Sequence, residues 1–371
     1  MRIVLTGGVT GGHIYPALAI ADEFKKRDDS TQVLYIGDQE GMEKYIVPQH
    51  GYELRFVDCM YFDRSNILRI ARTIFQNAKG IHQSKKILKE FKPDIIMSTG
   101  GYVSLPVIIA AKKLGIKVFI HEQNAFPGMA NKFLEKYAVN LFIGFKEAAA
   151  GFQDKNKIVY TGNPVRRAFY NVNDTDARAA LELNEDATGI LIFGGSLGAA
   201  MINSIGEEIV RTFSNRKDVN IVFGTGKNYY DKTAADLQEY LNGKNEHIRV
   251  IPYIDDMPNA LAASDIVISR AGALSVAEIT VTGRAAIFVP SRNVTDNHQY
   301  FNAKTVVDAG GGYIVEEGDD TVNNVVEILS DVIDDPERMT NMQKNSKAIA
   351  PPSATKIICD RITRAMFSEE K

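Results

Sequence analysis

Apolar residues in this chain gather in short unbroken runs, with longer amphipathic stretches between them. Residues 2–6, 32–36, 53–57, 94–98, 117–121 and 141–143 are such runs, rich in Ile, Val and Phe. Their lengths suit strands buried on both faces. Helix-like stretches such as 15–27 and 105–114 lie between them. This alternation predicts a doubly wound parallel α/β sheet. Residues 157–160 are a candidate last strand, and Gly162-Asn163-Pro164 then breaks the pattern. The scheme begins again with strand candidates at 189–193, 219–223, 248–251, 266–269, 285–289 and 312–315. Helices are expected at 199–215, 273–282 and 297–309. The chain thus reads as two Rossmann-like units, residues 1–163 and 164–349, with a hinge near 161–170. The last stretch, 341–367, reads as helical after Pro351-Pro352, and its helix at about 350–371 can pack on either unit, including back on the first.

Composition narrows the class. At 371 residues the chain has room for two domains, and 45% hydrophobic with 24% charged residues is ordinary globular usage. Two cysteines, Cys59 and Cys359, make a disulfide framework untenable. The start of the sequence lacks the pattern of a signal peptide, and the longest nearly apolar run, 103–111, is half of a membrane span. A soluble cytoplasmic protein is the expectation. The net charge of −3 hides an asymmetry: residues 1–163 hold 22 basic against 16 acidic side chains, and 164–371 hold 21 against 30. Chance and solubility account for this in one reading; in the other, the basic half faces something anionic, such as a membrane or a nucleic acid.

Ligands of open α/β sheets bind where strands end, so the candidate chemistry is sought in the loops that leave strands. Gly7-Gly8-Val9-Thr10-Gly11-Gly12-His13 follows the first strand and leads into a helix. Its glycines permit a tight turn, and the helix N-terminus favours an anion. The paired glycines do not form G-x-G-x-x-G, and no acid directly ends the second strand as read, since Asp38 comes after Gly37. A NAD-dependent oxidoreductase is therefore not indicated. His13 is a candidate general base, imidazole being the side chain that titrates near neutral pH; capping or packing is the other reading. Gly194-Gly195-Ser196-Leu197-Gly198 holds the same place in the second half and suits a phosphate. It is not a P-loop. The stretch 269–278 follows a strand with Gly272 and brings Glu278, a carboxylate type that accepts ribose hydroxyls. Residues 290–303 carry Asn297, His298 and Gln299, suited to sugar hydroxyls. Thr99-Gly100-Gly101-Tyr102 and His121-Glu122-Gln123-Asn124 are two more polar strand exits. HExxH, CxxC and EF-hand patterns are absent, so no metal ligands are proposed. Asp174-Thr175-Asp176 is formally a DxD, but it follows no apolar strand and reads as linker.

Residues 64–92 place Arg64, Arg69, Arg72, Lys79, Lys85, Lys86, Lys89 and Lys92 against Glu90 alone, with Ile67, Leu68, Ile70, Ile74 and Phe75 between them. Positions 67, 70, 71, 74 and 75 share one helical face. Such a helix can lie on an anionic bilayer, or it can be an ordinary surface helix whose apolar side meets the sheet.

Taken in order, the motifs resemble the MurG family of GT-B glycosyltransferases. The resemblance is carried by Thr10-Gly11-Gly12-His13-Ile14-Tyr15-Pro16, Thr99-Gly100-Gly101-Tyr102, His121-Glu122-Gln123-Asn124, Gly162-Asn163-Pro164-Val165-Arg166, Gly194-Gly195-Ser196 and the 272–278 stretch. It covers nearly the whole chain. It implies a GT-B fold with a central cleft, and transfer of GlcNAc from UDP-GlcNAc to the 4-hydroxyl of lipid-linked MurNAc-pentapeptide. By the same resemblance Thr10, Gly11 and Gly12 lie beside the donor and the acceptor diphosphate, and His13 is the base. Asn124 bonds the donor sugar, Arg166 and Ser196 meet the nucleotide and its diphosphate, and Ile254 meets the uracil through its backbone. Ala273, Leu274, Ser275, Val276, Ala277 and Glu278 hold the diphosphate and ribose, and Gln299 reads the GlcNAc hydroxyls. The basic segment, with Ile67, Leu68, Arg69, Arg72, Ile74, Phe75, Lys85 and Lys86, would face an anionic membrane at its cytoplasmic side. No cofactor and no nucleic acid are implied. Val9 and Leu197 depart from the family pattern, which usually has glycine and glutamine there.

The mechanism so implied is an inverting one. A base removes the acceptor's proton while helix dipoles, loop N–H groups and Arg166 stabilise the departing UDP, and hinge closure limits hydrolysis. The alternatives are a UDP-GlcNAc 2-epimerase, a glycolipid synthase of similar fold, and a non-catalytic nucleotide-sugar-binding protein.

Overall fold

The computed structural model describes residues 1–61, 66–195, 197–241, 245–292 and 297–367 of the chain, without the side chains of 67–69. The chain divides into two units, Met1–Arg166 with Pro351–Lys371, and Arg167–Ala350. Arg166 therefore belongs to the first.

The first unit runs β1 (Arg2–Gly7), α1 (Gly11–Arg27), β2 (Gln32–Gly37), α2 (Glu43–Gln49), β3 (Glu53–Phe56), α3 (Ile67–Phe91), β4 (Ile95–Gly100), α4 (Ser104–Lys113), β5 (Lys117–Glu122), α5 (Met129–Leu134), β6 (Asn140–Ile143) and β7 (Ile158–Tyr160). Its seven strands pair in the order β3-β2-β1-β4-β5-β6-β7, all parallel. β1 lies inside the sheet beside the central β4, and the strand order runs outward from this pair in both directions, which makes the β1–β4 boundary a switch point. The two faces of the sheet carry separate cores. Ile14, Leu18, Ile20 and Phe24 of α1 cover one face, while Leu88 of α3 and Val107, Ile108 and Ala111 of α4 cover the other.

The second unit runs α6 (Asp174–Ala180), β8 (Thr188–Phe193), α7 (Ala200–Phe213), β9 (Val219–Gly224), α8 (Tyr230–Asp236), α9 (Gln238–Leu241), β10 (Ile248–Ile251), α10 (Met257–Ala262), β11 (Ile266–Ser269), α11 (Ala273–Thr282), β12 (Ala285–Phe288), α12 (His298–Asp308), β13 (Gly312–Ile314), α13 (Thr321–Ile333) and α14 (Pro336–Ala348). Its six parallel strands order β10-β9-β8-β11-β12-β13, with the switch point between β8 and β11.

The last helix, α15 (Ala354–Phe367), packs on α1 of the first unit. Ile358, Cys359 and Ile362 join the core on that face, and Arg27 pairs with Asp360 at 2.7 Å. Glycine at the first two helical positions concealed the opening turn of α1 from the sequence pattern, so the helix begins at Gly11 rather than at 15. The DxD expected as linker is instead the first turn of α6. Asn173 caps that turn by accepting from the Asp176 N–H at 2.8 Å, and the Asp174 carboxylate accepts from Arg284 at 2.6 and 3.1 Å. Strand β2 extends through Gly37, so Asp38 does directly follow it. Its carboxylate is engaged internally, accepting from the Tyr102 hydroxyl at 2.7 Å.

Candidate active site

In the first unit the site is assembled where β1, β4 and β5 end. The loop after β1 is held from behind by Glu43, a fully buried carboxylate at the start of α2. Glu43 accepts from the Val9 N–H at 3.0 Å and from the Asp38 N–H at 2.8 Å. Three glycines exist to make room for it. A Cβ on Gly8, Gly37 or Gly41 would lie 2.1–2.5 Å from Glu43 atoms. Pinned in this way, Val9 adopts φ 77°, in the left-handed region. Thr10 then opens α1 with its carbonyl accepting from His13 N at 3.1 Å. Thr10 and Gly12 are exposed, and Gly11 and His13 half-buried, at the positive end of a 17-residue helix.

His13 is tied to β4 and β5. Its Nδ1 lies 2.8 Å from the Thr99 carbonyl oxygen and 3.0 Å from Gln123 Oε1. The Thr99 hydroxyl donates to the His13 carbonyl at 2.7 Å. Gly100, at φ 100°, leaves the space a side chain would need for the imidazole, since its Cβ would lie 3.2 Å from His13 Cε1. Gln123 Nε2 in turn reaches His121 Nδ1 at 3.0 Å and the His121 carbonyl at 3.1 Å, and His121 Nε2 reaches the Gly162 carbonyl at 3.0 Å. Burial drives the His121 pKa down to about 4, partly opposed by the Gly162 bond. Glu122 is also buried, and its carboxylate accepts from Asn124 N at 2.9 Å, Gly128 N at 3.0 Å and Asn131 Nδ2 at 2.8 Å. Half-buried Asn124 therefore sits on a loop with a fixed shape. Arg166 places its guanidinium 5.4 Å from the ring centroid of Tyr15, which brings a fixed positive charge beside the first turns of α1.

The second unit builds its loop from close backbone approach. Gly195 (φ 95°) and Gly198 (φ 78°) turn the chain after β8 toward α7. A Cβ on Gly198 would lie 2.2 Å from the Thr225 carbonyl oxygen, so only glycine lets the two loops touch. Ser196 lies outside the described residues. Leu197 is 71% exposed. Ile254 is buried beyond β10 and fills the space above Gly224, where a Cβ would meet it at 2.8 Å. The N-terminus of α11 has Gly272 as its cap and no acidic residue in its first turn. Ala273 and Val276 are buried, while Leu274, Ser275, Ala277 and Glu278 are half-buried along it. Asn302 of α12 donates to the Ala271 carbonyl at 3.1 Å and fixes the loop before α11. Arg270 is neutralised by Glu317 at 2.5 Å. Gln299 accepts from Ser291 N at 2.9 Å through Oε1, which turns its NH₂ end to donate. Residues 293–296 of that polar stretch lie outside the described residues.

Each motif residue within the described set is thus at the C-terminal edge of its own sheet, in the loop beyond it, or in the first two turns of the helix that follows. Glu43, the Gln123 link and Asn302 were not found from the sequence. A buried carboxylate ringed by glycines from the loop after β1 and from the end of β2 and its loop has no local signature. Among the described residues no three His, Cys, Asp or Glu side chains gather as a metal site would require.

Helix α3 buries its small and polar side. Thr73, Asn77, Gly80 and Ser84 face inward, and a Cβ on Gly80 would lie 2.0 Å from the Asp58 carbonyl oxygen. Ile74 is 57% and Phe75 72% exposed, next to exposed Arg72 and Lys79, with Lys86 exposed and Lys85 half-buried further along. The apolar side expected to face either sheet or membrane does not meet the sheet at these positions. The side chains of Ile67, Leu68 and Arg69 lie outside the described residues. Among the described residues no helix is long and apolar enough to cross a membrane.

Comparison with known proteins agrees with this geometry. Residues 3–143 match the glycosyltransferase family 28 N-terminal domain, and residues 189–357 match the family's C-terminal domain. A protein of Caldicellulosiruptor saccharolyticus is 41% identical over 358 residues, covering 96% of this chain and 96% of that protein. A protein of Clostridioides difficile is 38% identical over 373 residues, covering 100% of this chain and 90% of that one. Both bear the name UDP-N-acetylglucosamine–N-acetylmuramyl-(pentapeptide) pyrophosphoryl-undecaprenol N-acetylglucosamine transferase. The crystal structure of Acinetobacter baumannii MurG superimposes with a TM-score of 0.76 at 29% identity, covering 98% of this chain and 99% of that one. A UDP-GlcNAc 2-epimerase of Neisseria meningitidis reaches a TM-score of 0.71 at 17% identity, covering 98% of this chain and 100% of that one, a likeness of fold alone. With two GT-B-type Rossmann sheets, both family 28 domains and relatives above 35% identity along nearly its whole length, the chain belongs to the MurG family of glycosyltransferases.

Proposed function

We propose that this enzyme transfers GlcNAc from UDP-GlcNAc to the 4-hydroxyl of lipid-linked MurNAc-pentapeptide, turning lipid I into lipid II in peptidoglycan synthesis. One observation carries the reading: 41% identity along 96% of both chains to a protein named for that transfer. The site adds the chemistry. His13, at the start of α1, takes the acceptor's proton as its oxygen attacks the anomeric carbon from the face opposite UDP. The bond to the diphosphate oxygen breaks, and the α-linked donor gives a β-linked product. The donor's diphosphate and ribose lie along Ala273–Glu278, with Glu278 on the ribose hydroxyls and the uracil against the backbone of Ile254. Asn124 and Gln299 hold the GlcNAc, and Thr10, Gly11 and Gly12 meet the acceptor diphosphate. Dipoles of the long helices, loop N–H groups and Arg166 stabilise the charge that develops on UDP. Ser196 of the loop after β8 meets the donor's diphosphate beside exposed Leu197 in the sequence.

The same reading places the enzyme peripherally on the cytoplasmic face of an anionic membrane. It is supported by the exposed Ile74 and Phe75, set among Arg72, Lys79 and Lys86 on α3.

The test is transfer of labelled GlcNAc from UDP-GlcNAc to a lipid-linked MurNAc-pentapeptide, with and without EDTA, for the native chain and His13→Ala. Transfer is expected to survive EDTA, and the substitution to lower kcat by about 10²–10⁴-fold. No transfer, with release of ManNAc instead, would replace this reading by the 2-epimerase.

A further inference from the structure

His13 sits at one end of a hydrogen-bonded chain whose polarity can be worked out atom by atom. The Thr99 oxygen that meets His13 Nδ1 is a backbone carbonyl and only accepts. Gln123 has an amide with two different ends, and its far end decides which one faces His13. Its nitrogen lies 3.1 Å from the His121 carbonyl oxygen, a group that accepts and never donates. The NH₂ is therefore directed there, and Oε1 is turned to His13. With two acceptors against it, His13 Nδ1 carries the ring proton. In the neutral ring, Nε2 is then the nitrogen with the lone pair. The chain continues in the same sense. His121 Nδ1 accepts from Gln123 Nε2, so the His121 proton sits on Nε2, which donates to the Gly162 carbonyl. Every donor meets an acceptor, and both ends of the chain close on backbone carbonyls. His121 and Gln123 are 0% and 2% exposed, so water does not compete for these bonds.

We propose that Gln123 and His121 are positioning residues of the transfer, holding His13 in the tautomer whose bare Nε2 is offered to the acceptor hydroxyl. This role rests on the function proposed above. A base in the other tautomer would present an N–H and accept nothing. The Thr99 carbonyl gives Nδ1–H one partner; the second acceptor, 3.0 Å away on a different strand exit, adds to the bias toward Nδ1–H and fixes the plane of the ring, so that without it the Nε2–H form becomes populated. Burial keeps His121 neutral, and so keeps its Nδ1 an acceptor, down to a pH of about 4.

The test labels the histidines of the full chain with ¹⁵N and reads which ring nitrogen of His13 bears the proton. The resonance is assigned by its loss in His13→Ala. Native His13 is expected as the Nδ1–H tautomer. Gln123→Met is expected to introduce the Nε2–H tautomer and to lower kcat by about tenfold or more, with the KM for UDP-GlcNAc within twofold. If that variant does not fold, His121→Gln breaks the chain one bond further out and is read in the same way. A native His13 protonated on Nε2 would overturn the proposal. So would a Gln123→Met enzyme that keeps the native tautomer, whatever its activity. A chain that transfers GlcNAc with His13 in the wrong tautomer sinks this role alone, whereas a native chain with no transfer sinks the functional reading and this role together.

Discussion

Val9 holds a backbone conformation that suits glycine, at φ 77°, because Glu43 grips its N–H from the far side of the loop. For a β-branched residue this costs about 1–3 kcal/mol. Glycine there would lose about 0.5–1 kcal/mol through its freer unfolded chain. Val9→Gly is therefore expected to stabilise the protein by about 1 kcal/mol and to raise the apparent Tm by about 2–4 °C; a Tm that falls would show that the loop is not strained. The glycine that the family usually has at this position thus has a backbone reason. The neighbouring glycines carry a different lesson. In the sequence, Gly7-Gly8 read as a tight turn with room for a ligand, yet Gly8, together with Gly37 and Gly41, makes room for a carboxylate of the chain itself. His13 was legible, because a histidine after a glycine loop is a local pattern. What holds it was not, because Thr99 and Gln123 are 86 and 110 residues away.

At the scale of elements, α3 shows how a helical face leaves its destination open in the sequence. The sequence placed 67, 70, 71, 74 and 75 together without deciding between sheet and bilayer. The structure seats the opposite side, Thr73, Asn77, Gly80 and Ser84, in the interior, where small side chains let the helix come close to the Asp58 backbone. Exposed Ile74 and Phe75 contribute little to folding, so Ile74→Glu with Phe75→Glu is expected to change stability by less than about 0.5 kcal/mol. The same double substitution is expected to abolish co-sedimentation with vesicles containing anionic lipid, and added salt to weaken the native binding. Undiminished binding would remove α3 from the membrane contact. The strands, by contrast, were legible to within a residue or two. Parallel strands covered on both sides are written as unbroken Ile, Val and Phe runs, as at Ile266–Ser269, where reading and structure coincide. Helix starts were less so: glycines hid the first turn of α1, and a cap at Asn173 made a helix of what read as linker.

For the molecule as a whole, the buried histidine couples the site to stability. The folded-state pKa of His121, about 4, lies below the value near 6.5 of an unfolded histidine, with burial as the main cause. Protonation therefore favours the unfolded chain. The stabilisation is fully present above pH 6.5 and is lost as pH falls through the window from 6.5 to 4, to a total of about 3 kcal/mol. Thermal unfolding of the native chain is expected to show that loss, and His121→Gln to have a shallower dependence on pH over the same window. Equal slopes in the two proteins would assign the acid sensitivity to other groups.

The two sheets share one plan, but their units are not assembled from the chain in the same way. The second is one continuous stretch, Arg167–Ala350. The first is interrupted, and the side of its core under α1 is finished by Ile358, Cys359 and Ile362. During synthesis, then, the unit that starts first is completed last. While the ribosome is still making the second unit, Ile20 and Phe24 lack part of their cover, and the nascent first unit presents an apolar strip to its surroundings. The arrangement makes the arrival of α15 a checkpoint on the whole chain: only a polypeptide translated through residue 362 can close the domain that carries His13.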